Sequence, residues 1–325
     1  MPFGIGVDFG GTKVLAGVVD LDSGDVVGSA KKRTNPSDNA DQMMKRIVGV
    51  IESALGKANM SAAETEGIGI GLAGQIDTKR GILLGAPNLS QSTVNLPMAD
   101  LLGKRFDVPV RLRNDVQVGA IGEAKFGAGR DQPDFVCVFV GTGIGGAIVR
   151  GGELVTGAAG SAGEIGHMVI DANGRLCGCG GRGHLEAYAS RTAITKAILG
   201  EIKRGRKSAL VDLIGDSDSS EPGGTAIRSG VLIKALEAGD ELTEDILHEA
   251  AIYLGYGLAS VINLLNPTRI ILGGGVVEAI EQIPRIAERT ARRESLATPE
   301  KAVSIVTSGL GDNAGVVGAA LLGRV

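Results

Sequence analysis

Residues 4–20 of the 325-residue chain are GIGVDFGGTKVLAGVVD, and this stretch decides the fold. Apolar runs flank the glycines of DFGGTK, so the pattern predicts a strand, a glycine turn and a second strand. Residues 134–155, DFVCVFVGTGIGGAIVRGGELV, repeat that shape with few shared letters. Two copies of one unit, each opening a domain, predict a duplicated α/β architecture with a cleft between its halves.

Hydrophobic periodicity places the remaining elements. Short apolar runs at 67–72 and 269–278 predict strands, the second ending in three glycines. The polar stretch 205–230 predicts an exposed connection. Helices are predicted over 38–58, 97–106, 116–129, 186–204, 243–266 and 315–323.

Composition excludes several classes of function. The net charge is -4, acidic and basic residues are mixed, and only 3% of residues are aromatic, with no Trp. These features argue against a nucleic-acid partner. No apolar run reaches 18 residues and no leader pattern opens the chain, so we expect no membrane partner and a cytoplasmic location. The three cysteines do not form a disulfide framework.

Glycine-rich loops are the first candidate binding sites. There is no G-x-x-x-x-G-K-[ST] motif, and the two G-x-G-x-x-G matches, at 69–74 and 141–146, are followed by turns rather than helices. A dinucleotide fold is therefore disfavoured. Successive N–H groups in such loops can hold phosphate, and a carboxylate beside them can hold Mg²⁺ through water. The alternative is that each loop is only a tight turn. The candidate phosphate-binding residues are Asp8, Gly10, Gly11, Thr12, Lys13, Gly141, Thr142, Gly143, Gly273, Gly274 and Gly275.

Asp115 is the candidate catalytic carboxylate. It follows the predicted strand PVRLRND and precedes a predicted helix, so it lies where a ligand site can form. Phosphoryl transfer needs in-line geometry, charge neutralisation and a group that accepts the hydroxyl proton. A carboxylate can accept that proton late, once bonding to phosphorus has acidified the hydroxyl. The alternative role for Asp115 is a helix N-cap.

Two of the three histidines and two of the three cysteines fall within one 18-residue window, 167–184. The set His167, Cys177, Cys179 and His184 offers four donors of the kind that Zn²⁺ binds tetrahedrally. Glycines between them allow a short loop to surround an ion. We therefore predict a closed, structural zinc site. The alternative is two buried thiols and two exposed imidazoles.

The chain contains DFGGTK at 8–13, PNL at 87–89, RND at 113–115, GTGIGGAI at 141–148, AGEIGH at 162–167 and CGCGGRGHLE at 177–186. Together these motifs resemble those of the ROK family of sugar kinases and sugar-sensing repressors. The resemblance covers nearly the whole chain except 205–230. It implies a two-domain ribonuclease-H-like fold of the actin/hexokinase type. The implied domains are residues 1–116 with 312–325, and residues 117–311 with the zinc loop 167–184.

The resemblance also implies what the site binds. The first two glycine loops would hold the phosphates of ATP with Mg²⁺, and the third would border the adenosine. In the family a His binds zinc through one ring nitrogen and a sugar hydroxyl through the other, which His167 matches. His184 stands where the family has a third Cys. The implied sugar-binding residues are Asn88, Asn114, Asp115, Glu164, His167 and Glu186.

The expected reaction is transfer of phosphate from ATP to a hexose, with glucose as the leading substrate. Other substrates stay open, because the segment after PNL lacks a Trp often found in glucokinases. They are N-acetylmannosamine, N-acetylglucosamine, mannose, fructose or a cyclitol. The rival is a sugar-sensing regulator without turnover. Repressors of the family carry an N-terminal DNA-binding segment, and a phosphate motif that begins by residue 4 favours the kinase. The resemblance suggests a homodimer or homotetramer.

Overall fold

The protein is described from a computed structural model, which covers residues 1–11, 13–35, 37–86, 89–215 and 226–324. The strands are β1 (Phe3–Phe9), β2 (Lys13–Asp20), β3 (Val26–Arg33), β4 (Ile68–Leu72), β5 (Gln75–Asp77), β6 (Ile82–Gly85), β7 (Val110–Asn114), β8 (Phe135–Val140), β9 (Ile144–Arg150), β10 (Glu153–Val155), β11 (Arg269–Gly273) and β12 (Ser304–Thr307). The helices are α1 (Ala40–Ala58), α2 (Met98–Phe106), α3 (Asp115–Phe126), α4 (Glu186–Ala189), α5 (Arg191–Lys203), α6 (Leu210–Gly215), α7 (Ser229–Glu237), α8 (Glu241–Leu265), α9 (Gln282–Glu294), α10 (Ala297–Ala302) and α11 (Ala314–Gly323).

The two large sheets have the same layout. Their strand orders are β3-β2-β1-β4-β7 and β10-β9-β8-β11-β12. In the first, β1 pairs antiparallel with β2 and parallel with β4, which pairs parallel with β7. In the second, β11 lies parallel to both β8 and β12. The predicted repeat of strand, glycine turn and strand is confirmed.

The strand register of the first sheet brings candidate site residues to one edge. Phe9 pairs with Leu72, and Leu72 with Asn114, so β1, β4 and β7 end level with one another. Because the strands are parallel, their carboxyl ends share one edge of the sheet. The turn after β1 and the start of α3 therefore lie at the same edge.

Helices cover both faces of the first sheet. Ile5 and Val7 belong to a buried cluster that includes Ile47 and Ile51 of α1. On the other face, the backbone of α11 packs directly against the backbone of the strands. A Cβ added at Gly6 would lie 1.9 Å from the carbonyl oxygen of Val316 in α11, so α11 rests directly on the strand.

Helix α1 shows why the sequence forms this layer. Asn39 accepts a hydrogen bond from the Gln42 N–H, and the Gln42 side chain accepts one from the Asn39 N–H, which makes a capping box. Asn59 ends the helix in the left-handed conformation with φ 53°.

Four predicted segments differ from the structure. The strand predicted over 269–278 ends at Gly273, because Gly274 takes a left-handed conformation with φ 87°. The helix predicted over 186–204 is two helices, because Ser190 is extended and caps α5 through the Ala193 N–H. The connection predicted over 205–230 contains α6, whose Leu210 is fully buried, and the start of α7. Residues 216–225 lie outside the described residues. The segment after Gly74 is not a simple turn but the hairpin β5–β6.

The chain forms two compact units. The first comprises Met1–Pro133, Ala147–Gly163 and Ser308–Val325, and the second comprises Asp134–Gly146 and Glu164–Thr307. The domain boundaries that the sequence predicts near residues 116 and 311 are not tested by this division and stay a prediction. Within the described ranges, no helix combines the length and the apolar run that a bilayer crossing requires.

Candidate active site

Asp8 lies at the end of β1, one residue before the strand gives way to the glycine turn. The turn closes through a hydrogen bond from the Gly10 N–H to the Lys13 carbonyl, 3.0 Å long. Burial raises the pKa of Asp8 to about 7, and the negative charge of Asp115 adds to the rise. The two carboxyl groups therefore lie within electrostatic range of each other. Thr12 is outside the described residues.

Lys13 begins β2 and is not simply solvated. Its ammonium lies 2.8 Å from Oδ1 of Asp312, in the turn Gly311–Asn313 that leads into α11. The side chains are 37% and 75% exposed. The first glycine turn thus carries a cation held in place by a carboxylate from a distant part of the chain.

Asp115 is the first residue of α3, and Asn114 is its N-cap. Oδ1 of Asn114 accepts hydrogen bonds from the N–H groups of Val116 and Gln117, at 3.0 and 3.2 Å. The alternative role for Asp115 as the N-cap is therefore wrong. Oδ1 of Asp115 accepts from the Val116 N–H at 2.9 Å, and the side chain is half-buried at the sheet edge.

The second glycine loop, 141–143, is held by the start of α5. The Arg191 N–H donates to the Gly141 carbonyl, and its guanidinium donates to Oγ1 of Thr142, both at 2.9 Å. The Thr192 hydroxyl donates to the Thr142 carbonyl at 2.8 Å. These bonds fix the conformation of the loop.

Glu186, the first residue of α4, contacts the same loop. Its Oε2 accepts a hydrogen bond from the Ile144 N–H at 2.9 Å, and its Oε1 accepts one from the Cys177 thiol at 3.5 Å. A Cβ at Gly143 would lie 2.3 Å from Oε2, so only glycine permits this approach. Glu186 thereby joins the glycine loop to the cysteine loop.

The third glycine loop follows β11. Gly274 has φ +87°, and a Cβ there would lie 2.6 Å from the Val140 carbonyl oxygen. Its N–H donates to Oε1 of Glu278 at 3.1 Å, and the Gly275 carbonyl accepts from the Ser229 hydroxyl at 2.8 Å. Gly273 is the last residue of the strand. Glycine is required here by backbone conformation as well as by space.

The structure brings together the predicted His/Cys set. One ligand atom from each of His167, Cys177, Cys179 and His184 lies within 4.8 Å of the others. The two Nδ1 atoms are 3.4 Å apart, Cys177 Sγ is 3.9 Å from His167 Nδ1, and Cys179 Sγ is 3.2 Å from His184 Nδ1. A tetrahedral zinc ion would separate such atoms by roughly 3.3–3.8 Å. The donor set therefore fits zinc.

Two further observations bear on this cluster. Burial raises the pKa of the Cys177 thiol to about 11, with the negative charge of Glu186 adding to the rise, so metal binding there would release a proton. His167 turns Nδ1 towards the cluster, and its Nε2 lies 4.0 Å from Oε2 of Glu164. One ring nitrogen thus faces the donor set and the other faces a carboxylate.

A family model described as ROK family matches residues 4–324 of the chain. The chain belongs to the ROK family. This ROK protein is 33% identical to a glucokinase of Thermotoga maritima over 316 aligned residues. The alignment covers 97% of this chain and 95% of that relative.

Solved structures give the same result for the fold. A ROK family glucokinase from Streptomyces griseus, in complex with glucose and AMPPNP, matches with a TM-score of 0.85, 35% identity and 99% coverage of both chains. A ROK family transcriptional regulator, homologous to the MLC protein of E. coli, matches with a TM-score of 0.80 and 28% identity, over 98% of this chain and 77% of that one. The predicted family and the predicted fold of the actin/hexokinase type are confirmed.

Sequence reasoning missed the residues that hold each glycine loop in place. Arg191 contacts Thr142 of the second loop. Asp312 contacts Lys13 of the first, and buried Glu123 binds the segment before Asp312. A Ser N-cap signal in SRT at 190–192 could have placed Arg191 at a helix start. Nothing in the sequence pairs Asp312 with Lys13. Asn88 and its neighbour Pro87 lie outside the described residues.

Proposed function

We propose that this chain is an ATP-dependent hexose kinase, with D-glucose as its leading substrate. The observation that carries the proposal is the edge shared by Asp8 and Asp115, where the charge of one raises the pKa of the other. Full-length similarity to a glucokinase, and to a glucokinase bound to glucose and AMPPNP, supports it.

In the proposed reaction, Asp115 accepts the proton of the attacking sugar hydroxyl, which we assign to C6. The oxygen forms its bond to the γ-phosphorus as the bond from that phosphorus to the β-γ bridging oxygen breaks, and ADP leaves. Mg²⁺ bound with ATP neutralises phosphate charge. Asp8 would hold that ion through water, and the N–H groups of the glycine loops would hold the phosphates.

The proposed sugar contacts need one refinement. Oδ1 of Asn114 is occupied by the α3 backbone, so its amide NH₂ is the group left to donate to a hydroxyl. Both oxygens of Glu186 accept hydrogen bonds within the protein. Each oxygen has a second lone pair, so Glu186 can still accept from a sugar. Glu164, His167 and Asn88 complete the proposed set.

We further propose that His167, Cys177, Cys179 and His184 hold a structural Zn²⁺. The interatomic distances given above support this donor set. An ion at this place would fix the tautomer of His167 and so orient Nε2 towards the sugar. The cytoplasmic location, the homodimer or homotetramer and the absence of a nucleic-acid partner stay predictions.

The test is a coupled ATP assay over a panel of glucose, mannose, fructose, N-acetylmannosamine, N-acetylglucosamine and a cyclitol. We expect turnover with glucose, and a loss of about 10²–10⁴-fold in kcat for Asp115→Asn, because the substitution removes the proton acceptor. Nucleotide binding, measured by calorimetry, should persist in this variant.

The second candidate is a sugar-binding regulator without turnover, which the similarity to a ROK family transcriptional regulator favours. If wild type and Asp115→Asn are equally inert on every sugar while sugar still binds, the regulator is correct. If only a hexose other than glucose is phosphorylated, the kinase proposal stands and the assigned substrate changes to that hexose.

A further inference from the structure

Glu123 of α3 is a fully buried carboxylate that the proposed reaction does not use. Its Oε1 accepts from the Ser308 hydroxyl and the Leu310 N–H, at 2.5 and 3.0 Å. Its Oε2 accepts from the N–H groups of Ala128 and Gly309, at 2.6 and 3.1 Å. Among the described residues it forms no ion pair with Lys or Arg. A buried charge is costly unless hydrogen bonds satisfy it, and here four donors do so.

Three of these donors belong to one short segment, 308–310. The hydroxyl of Ser308 also accepts from the Gly311 N–H at 2.8 Å, and the Asn313 N–H donates to the Leu310 carbonyl at 3.1 Å. Every residue from 308 to 311 is therefore tied, directly or through Ser308, to the Glu123 carboxylate. The backbone that carries Asp312 has little freedom to move.

Asp312 is the residue that this held segment presents. Its carboxylate is 75% exposed and lies 2.8 Å from the ammonium of Lys13. An exposed ion pair on two free side chains contributes little to stability and holds no fixed geometry. A pair of this kind keeps one geometry only if the backbone of one partner is held, and Glu123 binds the segment that directly precedes Asp312.

We propose that Glu123 is a positioning residue for phosphate transfer: it fixes the turn that carries Asp312, and Asp312 fixes the ammonium of Lys13 beside the first glycine turn. The inference rests on the proposed kinase function. A correctly placed cation stabilises the charge that moves between phosphates in the transition state. Helix α3 then serves the reaction twice, through Asp115 at its first residue and through Glu123 two turns later.

The first arm of the test needs no turnover. The full chain is treated with a reagent that acetylates lysine side chains, and mass spectrometry follows the rate of acetylation at Lys13. The contact with the Asp312 carboxylate holds and partly covers the Lys13 amine, which slows its reaction with the reagent. We expect the rate to rise about fivefold in Asp312→Asn and in Glu123→Gln. The control is Asp240→Asn, which removes a buried capping carboxylate of α8 and should leave Lys13 unchanged.

The second arm uses whichever hexose the wild type phosphorylates. We expect kcat to fall about tenfold in each variant and the double variant to be no slower than Asp312→Asn alone, because both changes act through one pair. The Kd of Mg·AMPPNP should stay within about threefold, with a binding stoichiometry near one that shows intact folding. A purely structural role would lower the stoichiometry instead.

Several results would overturn the inference: unchanged Lys13 acetylation in Glu123→Gln, faster acetylation without a fall in kcat, or losses in kcat that multiply in the double variant. If Glu123→Gln does not fold, Ser308→Ala replaces it, because this change removes one hydrogen-bond donor and keeps the carboxylate. We then expect a smaller rise in the rate of Lys13 acetylation and a smaller fall in kcat. A wild type inert on every hexose refutes the proposed function, while the acetylation arm still decides whether Glu123 positions Lys13.

Discussion

Asp8 holds its proton at a pH where most carboxyl groups in water have lost theirs. Its pKa is about 7 in the folded chain against 3.8 as the ordinary value, chiefly because of burial, then because of the charge of Asp115. The folded chain therefore binds a proton between about pH 4 and pH 7 that the unfolded chain has released. A residue that destabilises the fold in this way is typical of a functional site.

The stability of the protein should report this difference. Because the folded state binds more protons in that window, the free energy of unfolding should fall as pH rises towards 7 and then stay level. Asp8→Asn removes the titrating group, so the variant should gain stability over wild type when the pH is raised from 5 to 8. Urea unfolding without added Mg²⁺ measures this gain.

The control for that experiment is Asp41→Asn, which changes an exposed carboxylate on the first turn of α1. Its difference from wild type should be the same at both pH values. A gain for Asp8→Asn that does not change between pH 5 and pH 8 would contradict the assignment of a raised pKa to Asp8.

At the scale of elements, the loop between β8 and β9 is shaped by the carboxylate of α4. Gly143→Ala would place a methyl group 2.3 Å from Oε2 of Glu186, whereas a Cβ at Gly141 meets nothing within 4 Å. We expect Gly143→Ala to displace Glu186, break its bond to the Ile144 N–H and cost about 1–3 kcal/mol in the free energy of unfolding.

Gly141→Ala is the matched control, because it adds the same methyl group to the same loop without a clash. Urea denaturation of both variants compares the two costs, and the Kd of Mg·AMPPNP shows whether the loop still binds phosphate. Equal destabilisation by both substitutions would mean that the contact with Glu186 does not hold the loop.

The elements also show what sequence could and could not predict. The glycine hairpins, α1, α8 and the His/Cys set were predictable, because periodicity, turn residues and ligand spacing are local signals. The alternative that made Asp115 the helix cap is wrong by one residue, since Asn114 and Asp115 are both good caps and the choice depends on tertiary context. The Lys13–Asp312 pair joins residues 299 apart, and no local pattern records such a contact.

At the scale of the whole molecule, zinc binding should appear as stability. The four donors belong to the second compact unit, so an ion bound there would stabilise the folded state over the unfolded one. We expect about one equivalent of zinc in protein purified without chelator. Its removal should lower Tm by several degrees, and readdition should restore it.

The variants for this prediction are His184→Ala and, as control, His248→Ala, which changes an exposed histidine of α8. The first should lose zinc, and the second should keep it, by metal analysis of both proteins. Well under one equivalent in the wild type, or equal zinc content in the two variants, would count against the site.

The contact between α11 and the glycine face of β1 has a consequence for biosynthesis. The ribosome makes β1 long before α11, so one face of the nascent strand stays uncovered until the helix has been synthesised. On β1 that face carries Gly4 and Gly6, and the apolar side chains of Val19 and Leu21 are buried on it only once α11 packs there. This face of the sheet is therefore completed only after α11 has been made, however early its strands are synthesised.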